Sequence, residues 1–376
     1  MVYLDYAANA PIDEEVLDTF YHATKKYFAN PNAVHKLGLE AKKAIDDSTS
    51  NIAKLLNVLP EEIIYTSGAS ESNNLAIKGV CERYKNKGKH IITTPLEHNS
   101  IIAPLTVMQN NGFEVDLLGV TKDGKVDIDE LKNLIRDDTI LVSVVSVDSE
   151  IGIKQPIEEI GEILKDYPNI IFHTDASQAI GKVNIDFSLV DLVTIAPHKF
   201  YGINGFGALI KKKNIGLVPI INGGKSTTIF RSGTPVTGSI IALDKSLEIA
   251  IKNLDERYNY ILNLNNQLKE FLSKYKKVHI NSTENSIPHT LNFSIEGIKS
   301  TDFAKKLEEN DIYISTKTSC CPSETPSKLV YALTGNKALA TSSLRISLSH
   351  LTTSDEIKEF FKVFDKCYKE LYNGKI

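Results

Sequence analysis

The stretch that decides the fold is IIFHTDASQAIGK, Ile170 to Lys182, followed at residues 191–210 by DLVTIAPHKFYGINGFGALI. Each opens on a short apolar run without alternation, as expected of a strand covered on both faces. Just past each run stands a chemically capable side chain, Asp175 in the first and Lys199 in the second. Open α/β sheets take their ligands outside the carboxyl ends of the strands, so both residues stand where such a site is built. Taken singly, Asp175 reads first as a helix N-cap and Lys199 as a surface charge. The pair says more. It joins an acid that can keep a pyridine nitrogen protonated to an amine that can form a Schiff base, with His198 beside the lysine and Gly202, Gly205 and Gly207 beyond it.

Working outward, the same texture recurs. Apolar runs at Glu62–Thr66, His90–Thr93, Phe113–Leu117 and Ile140–Val147 predict further strands, as do Ile170–Thr174, Asp191–Ile195 and Phe206–Ile210. Helical patterns lie between them at Glu71–Lys87, Ser100–Asn110, Asp127–Arg136 and Pro156–Lys165; Asp127 and Glu130 have the spacing of a capping box. Strand–helix alternation of this length predicts a mostly parallel sheet covered by helices. After about residue 235 the pattern changes to one or two long helices over Val236–Lys274. Short strands follow at Val278–Asn281, Leu291–Ile295, Ile312–Ser315 and Leu344–Leu348, with helices near 300–310, 326–334 and 354–372. The expected fold class is therefore α/β: a large domain over residues 13–255, and a smaller α+β domain made of residues 256–376 with residues 1–12 packed on it. Lys211–Lys213 and Lys274–Lys277 read as solvated element ends.

Composition narrows the partners. Lys and Arg number 43 against 47 Asp and Glu, a net charge of −4, so no global field favours nucleic acid or an anionic membrane. No run reaches the roughly 18 apolar residues of a membrane helix. The opening MVYLDYAANAPIDEE has acids where a secretory signal needs a basic start and an apolar core, and four cysteines in 376 residues are no disulfide framework. A cytoplasmic, reducing setting is expected.

Two further stretches carry chemistry. Residues 65–74, Tyr-Thr-Ser-Gly-Ala-Ser-Glu-Ser-Asn-Asn, run from strand through a small-residue loop into a helix, and would aim backbone N–H groups and hydroxyls at an anion. The same residues also suit a plain Ser-capped helix, and no Gly-Lys-Ser/Thr ending makes them a nucleotide loop. Cys320 and Cys321 fall in the polar, small-residue run Ile314-Ser315-Thr316-Lys317-Thr318-Ser319-Cys320-Cys321-Pro322, an exposed setting that favours reactive thiols over structural ones. Cys81 and Cys367 lie in helical patterns and read as packing residues. No CxxC pair or His cluster supports a metal site.

Taken in order, these motifs resemble the cysteine desulfurases of the NifS/IscS type, pyridoxal-phosphate (PLP) enzymes of fold type I within the class V aminotransferases. The resemblance spans nearly the whole chain. It rests on Leu4-Asp5-Tyr6-Ala7-Ala8-Asn9-Ala10-Pro11, Asn30-Pro31-Asn32-Ala33-Val34-His35, TSGASESNNLAIKG at 66–79 and Glu97-His98. It continues through Asp175-Ala176-Ser177-Gln178, His198-Lys199, Arg231-Ser232-Gly233-Thr234 and Ser343-Leu344-Arg345-Ile346-Ser347. It implies pyridoxal 5'-phosphate as cofactor and L-cysteine as substrate, with sulfur passing to an enzyme cysteine and on to a scaffold or carrier protein for iron–sulfur assembly or thiolation.

The resemblance also implies roles. Lys199 would bear the cofactor and move the Cα proton, Asp175 would pair with the pyridine nitrogen, and Gln178 with the ring hydroxyl. His98 would stack on the ring and shuttle protons. Ala69, Ser70 and His198 fall in the phosphate site, and Thr234 would reach the phosphate of the other subunit, implying a homodimer. Arg345, with Ser149, would hold the substrate carboxylate, and Cys320 would accept the sulfur, with Cys321 a relay thiol or incidental.

Departures stand beside the match. The family's paired asparagines are here Asp148-Ser149, its phosphate-binding serine is Ala196, and the usual Gln-Glu after a glycine pair is Lys225-Ser226 in Gly223-Gly224-Lys225-Ser226. The cysteine loop has Lys317 for a glycine, and a second cysteine. They leave two alternatives: a related class V lyase or transaminase acting on another amino acid, such as selenocysteine, or a weakly active sulfur-relay homologue.

Overall fold

Twelve strands thread the computed structural model, which describes residues 1–224, 226–316 and 325–373. They are β1 (Val2–Tyr3), β2 (Ile63–Thr66), β3 (His90–Thr93), β4 (Glu114–Leu117), β5 (Thr139–Ser143), β6 (Ile171–Asp175), β7 (Leu192–Ile195), β8 (Gly207–Lys211), β9 (Val278–Ile280), β10 (Thr290–Ile295), β11 (Ile312–Tyr313) and β12 (Ser343–Ser347). Seven form the main sheet in the order β2-β8-β7-β6-β5-β3-β4. Neighbours from β7 to β4 are parallel; β8 runs antiparallel to both β7 and β2. The five inner strands and the edge strand β2 are buried at every position. That burial explains their unbroken apolar runs. Only edge strand β4 exposes residues, and there the sequence supplies Glu114 and Asp116, charges that discourage pairing with another chain.

The predicted strands are present with ends moved by a residue or so, except one. The run at 140–147 leaves the ladder after Ser143: Val144 and Ser146 still donate to the carbonyls of His173 and Asp175, but the chain is already bending toward Asp148. Three helices fall outside the sequence reading, Glu14–Lys26, Lys36–Leu56 and the short Lys337–Thr341. Their apolar faces are narrow, with Val16 and Ala23 the buried residues of the first. The expected capping box is half made. Asp127 accepts from the N–H groups of Asp129 and Glu130, while the Glu130 carboxylate turns to Gly119 N instead. Lys211 corrects another expectation. It is buried, because its ammonium caps the carbonyls of Lys212 and Ile215 and lies over the Phe230 ring.

Beyond the main sheet, the helices Thr237–Lys252 and Leu254–Leu272 lead to a three-stranded antiparallel sheet, β12-β10-β9. Its strands alternate. Leu291, Phe293, Ile295, Leu344, Ile346 and Leu348 enter an apolar cluster with Phe303, Phe360 and Phe364. Val2 and Leu4 join the same cluster, since β1 pairs in parallel with β11. With side chains pointing alternately to opposite faces of a strand, Asn292, Ser343, Arg345 and Ser347 emerge on the other side. All four are buried there. Cys81 and Cys367 are buried free thiols on helices, as expected. Cys320, Cys321 and Lys317 lie outside the described residues.

Candidate active site

A cavity of about 370 Å³ lies at the carboxyl ends of the main sheet's parallel strands. Its lining comes from the segments that follow β2, β3, β5, β6 and β7 in turn, together with Ala7, Ala8, Gly205 and Arg345. Ala69, Ser70, His98, Ser149, Asp175, Gln178, His198, Lys199 and Arg345, nine residues singled out from the sequence, all face it. Thr234 is exposed and does not line it.

The floor is set by strand ends. Asp175 closes β6, the middle strand of seven, and is buried. Its Oδ1 accepts from Ser177 N at 2.9 Å and its Oδ2 from Asn73 Nδ2 at 2.8 Å. Those two donors hold the carboxylate and satisfy part of its charge where water is scarce. Lys199 ends a short 3-10 turn after β7, and its Nζ donates to the carbonyls of Ala7 (2.9 Å) and Ala8 (2.6 Å). Gln178 donates from Nε2 to the same Ala7 carbonyl at 2.9 Å.

The β2 end supplies an anion seat. Gly68 precedes the helix Ala69–Tyr84 with φ of +147°, a backbone conformation L side chains rarely adopt, and no side chain caps the helix. Gly207 lies against it: a Cβ there would sit 2.7 Å from Gly68 Cα. The helix N-terminus thus faces the cavity with its N–H groups unclaimed by a cap. Glu71, in its first turn, is bound by Arg231 Nε at 2.9 Å, which ties the loop carrying Thr234 to this helix.

Two histidines flank the floor. His98 begins the helix Asn99–Asn110, where its Nδ1 accepts from Ser100 N at 3.1 Å; burial holds its pKa down, opposed by Asp175. His198 is lowered to about 4, by burial first and then by Lys199 and Lys182. Both rings are neutral near pH 7.

Arg345 enters from the second sheet because of the alternation in β12. One guanidinium nitrogen donates to the Ser149 carbonyl at 2.7 Å, and another pairs with Asp5 at 2.5 Å. Ser149 therefore seats the arginine through its main chain, which any residue would supply. Asp148, which stands in place of the family's asparagine, is buried and accepts from the N–H groups of Glu150, Ile151 and Ile153, so it holds the turn. At Ala196 the wall offers a methyl group and no hydroxyl.

Several contributors were not assigned roles from the sequence. Asn73 and Ser177 lay inside quoted motifs without a task; Asn73 clamps Asp175, and Ser177 Oγ is buried with no hydrogen-bond partner among the described residues. Asp5 and the Ala7 and Ala8 carbonyls belong to the opening segment, whose motif gave no hint that it reaches the lysine and the arginine.

The family model for class-V aminotransferases matches residues 2–360. Cysteine desulfurase IscS of Dictyoglomus turgidum is 37% identical over 375 residues, covering 98% of this chain and 95% of its own. A solved NifS-like protein superposes with a TM-score of 0.92 at 31% identity, covering 98% of this chain and 99% of its own. A second, SspA in complex with cysteine, gives 0.82 at 32% identity, covering 94% and 100%. Family model, sequence relatives and fold agree with the residues gathered around the cavity: the chain belongs to the class-V aminotransferases.

Proposed function

We propose that this chain is a PLP-dependent cysteine desulfurase that converts L-cysteine to L-alanine and keeps the sulfur as a persulfide on Cys320. The observation that carries the reading is the cavity that joins Asp175, Lys199 and the helix N-terminus at Gly68. Its residues fit the cofactor. The helix N-terminus and Ser70 suit a phosphate, Asp175 a protonated pyridine nitrogen, and Gln178 the ring oxygen. Ser177 Oγ is buried and has no partner among the described residues, a hydroxyl whose cost of burial a bound group would offset.

Once bound, PLP supplies the sink for the electron pair released when a proton leaves the substrate Cα. The chain does the rest. Asp175 keeps the pyridine nitrogen charged, and Lys199 Nζ anchors the cofactor and moves the proton at Cα. His98, neutral, can accept and return a proton. Arg345 orients the substrate carboxylate, a task its planar fork suits. Cys320 Sγ, as thiolate, attacks the substrate sulfur; the new S–S bond forms as the substrate Cβ–S bond breaks, its electron pair stays on the carbon side, Cβ and Cα each take up a proton, and alanine leaves. The persulfide then passes to a scaffold or carrier protein for iron–sulfur assembly or thiolation.

The same reading assigns residues 13–255 to the cofactor domain, and residues 1–12 with 256–376 to the smaller one. It takes the working unit to be a cytoplasmic homodimer. The exposure of Thr234 away from its own cavity supports the homodimer. So do Phe28, Val34, Ile229 and Val236, at 76%, 92%, 67% and 55% exposure; Val34 and Ile229 border a groove that also includes Pro235. The membrane plays no part in it; among the described residues no helix is long and apolar enough to cross one.

The test is incubation of purified protein and PLP with L-cysteine and a panel of other amino acids in the presence of dithiothreitol, which reduces the persulfide and releases its sulfur, measuring sulfide, alanine and keto acid together. Equimolar sulfide and alanine from cysteine alone is the expected result. Turnover of a different amino acid, or none, would overturn the reading.

A further inference from the structure

Lys182 is a lysine out of place. It is only 8% exposed, and no carboxylate among the described residues lies within ion-pairing distance of it. Burying an ammonium without a counter-charge is costly, so its retention calls for a task. It follows Gln178 by four residues in a helical turn, where Ile180 and Val183 N–H groups donate back to Ala176 and Ala179, and this spacing puts both side chains on one face. The Lys182 ammonium donates to Gln178 Oε1.

We propose that Lys182 is a positioning residue that fixes the Gln178 amide, so that its Nε2 faces the Ala7 carbonyl and the cavity. The inference rests on the cofactor reading above. With Oε1 held by an ammonium, the amide nitrogen must point the other way, where it donates to Ala7 O. Turning it over would set an NH₂ against the ammonium and oxygen against the Ala7 carbonyl, leaving two repulsive contacts for two good ones. Nε2 has a second hydrogen, left for an acceptor in the cavity that Gln178 lines. Because Lys199 Nζ shares the Ala7 carbonyl, the chain Lys182–Gln178–Ala7–Lys199 couples the buried ammonium to the amine that bears the cofactor.

The electrostatics agree. Lys182 is lowered to about 7 by burial first, then by Lys199 and Arg345, and its charge in turn weighs on His198 and His289. Its positive charge therefore disfavours a further proton on the Lys199–cofactor linkage, as does the amide donor by stabilising a ring oxyanion. Losing Lys182 removes both effects.

The experiment titrates the visible absorption band of PLP-loaded protein against pH, alongside PLP retention by equilibrium dialysis. In Lys182→Met and Lys182→Gln, two neutral replacements that cover the case in which one disturbs folding, the band's midpoint should rise by about one pH unit. PLP retention should fall about tenfold, and Lys182→Arg should restore both. Combining Lys182→Met with Gln178→Leu should raise the midpoint by less than the sum of the two single rises, because the amide's share is lost only once. A folded neutral variant with the parent's midpoint, or additive rises in the double variant, would overturn the inference while leaving the cofactor reading standing. A parent chain that forms no such band overturns both.

Discussion

The two sheets solve opposite problems. The main sheet buries its strands on both faces and gathers polar chemistry at their carboxyl ends, where Asp175, Glu97 and Lys182 lie in a water-poor setting held by specific donors and acceptors. The smaller sheet commits one face to an aromatic cluster. There Phe271 and Phe361 stack at 4.1 Å between centroids, and Phe364 contacts Phe293, Phe303 and Phe360. Its other face sends Arg345 to the site. The first region is where changes should alter chemistry and its pH dependence. The second is where they should alter stability and leave chemistry intact, with Arg345 as the exception.

The sharpest way to break that division is at the lysine. Lys199→Ala should eliminate borohydride-reducible attachment of PLP, located by mass spectrometry, and lower turnover by roughly 10²–10⁴-fold from the lost proton transfer alone. The attachment found on another lysine would relocate the site. On the other side, Phe364→Ala opens a cavity in the aromatic cluster and should cost about 3–5 kcal/mol by denaturant titration. The remaining folded protein should keep the parent's absorption spectrum; a changed spectrum would mean that the two regions are not separable.

Buried acids should show as pH-dependent stability in the main sheet. Glu97 is raised to about 8, chiefly by burial, although Val145 N donates to it at 2.7 Å. A carboxyl with its folded pKa above its unfolded value near 4.5 gives stability that is complete below the lower value. That stability is lost as pH rises through about 8. Glu97→Gln should flatten this slope between pH 5 and 8, measured as Tm against pH. An unchanged slope would place the titration elsewhere.

Smaller effects test the arginine that crosses between regions. Arg345→Ala removes a charged donor and should lower kcat/KM for L-cysteine by about 1.5–3 kcal/mol, mostly through KM. Ser149→Asn should change it by less than about 1 kcal/mol, because the contact with Arg345 is made by the main-chain carbonyl. A large loss on Ser149→Asn would show that the hydroxyl itself reads the substrate.

What was legible in the sequence follows the same division. Asp175 and Lys199 could be placed because unbroken apolar runs mark buried parallel strands, and the position after such a run is a known place for chemistry. Arg345 was named only through the family resemblance; the alternation of Leu344 and Ile346 about it, seen in the structure, explains its inward aim. The helices Glu14–Lys26 and Lys36–Leu56 were not read although their buried positions recur at helical spacing, as at Ala41, Ile45, Ser48 and Ile52, because the buried stripe is narrow and made largely of small residues. Lys211 misled because a lysine's burial depends on carbonyls that become neighbours only after folding. The hold on Lys199 was invisible for a related reason: it is made by the carbonyls of Ala7 and Ala8, and a main-chain oxygen has no signature in the sequence.

That last contact bears on how the protein is made. Ala7 N also donates to Ser347 Oγ, 340 residues away, while β1 waits for β11 to form its ladder. A ribosome releases the opening segment long before it has synthesised what that segment docks on. The strands of the main sheet can assemble early, domains generally folding as units during synthesis, yet the carbonyls that grip Lys199 come into place last. Until the segment carrying Ser347 has been made, the contact that seats Ala7 cannot form, so the hold on Lys199 joins residues from distant parts of the chain.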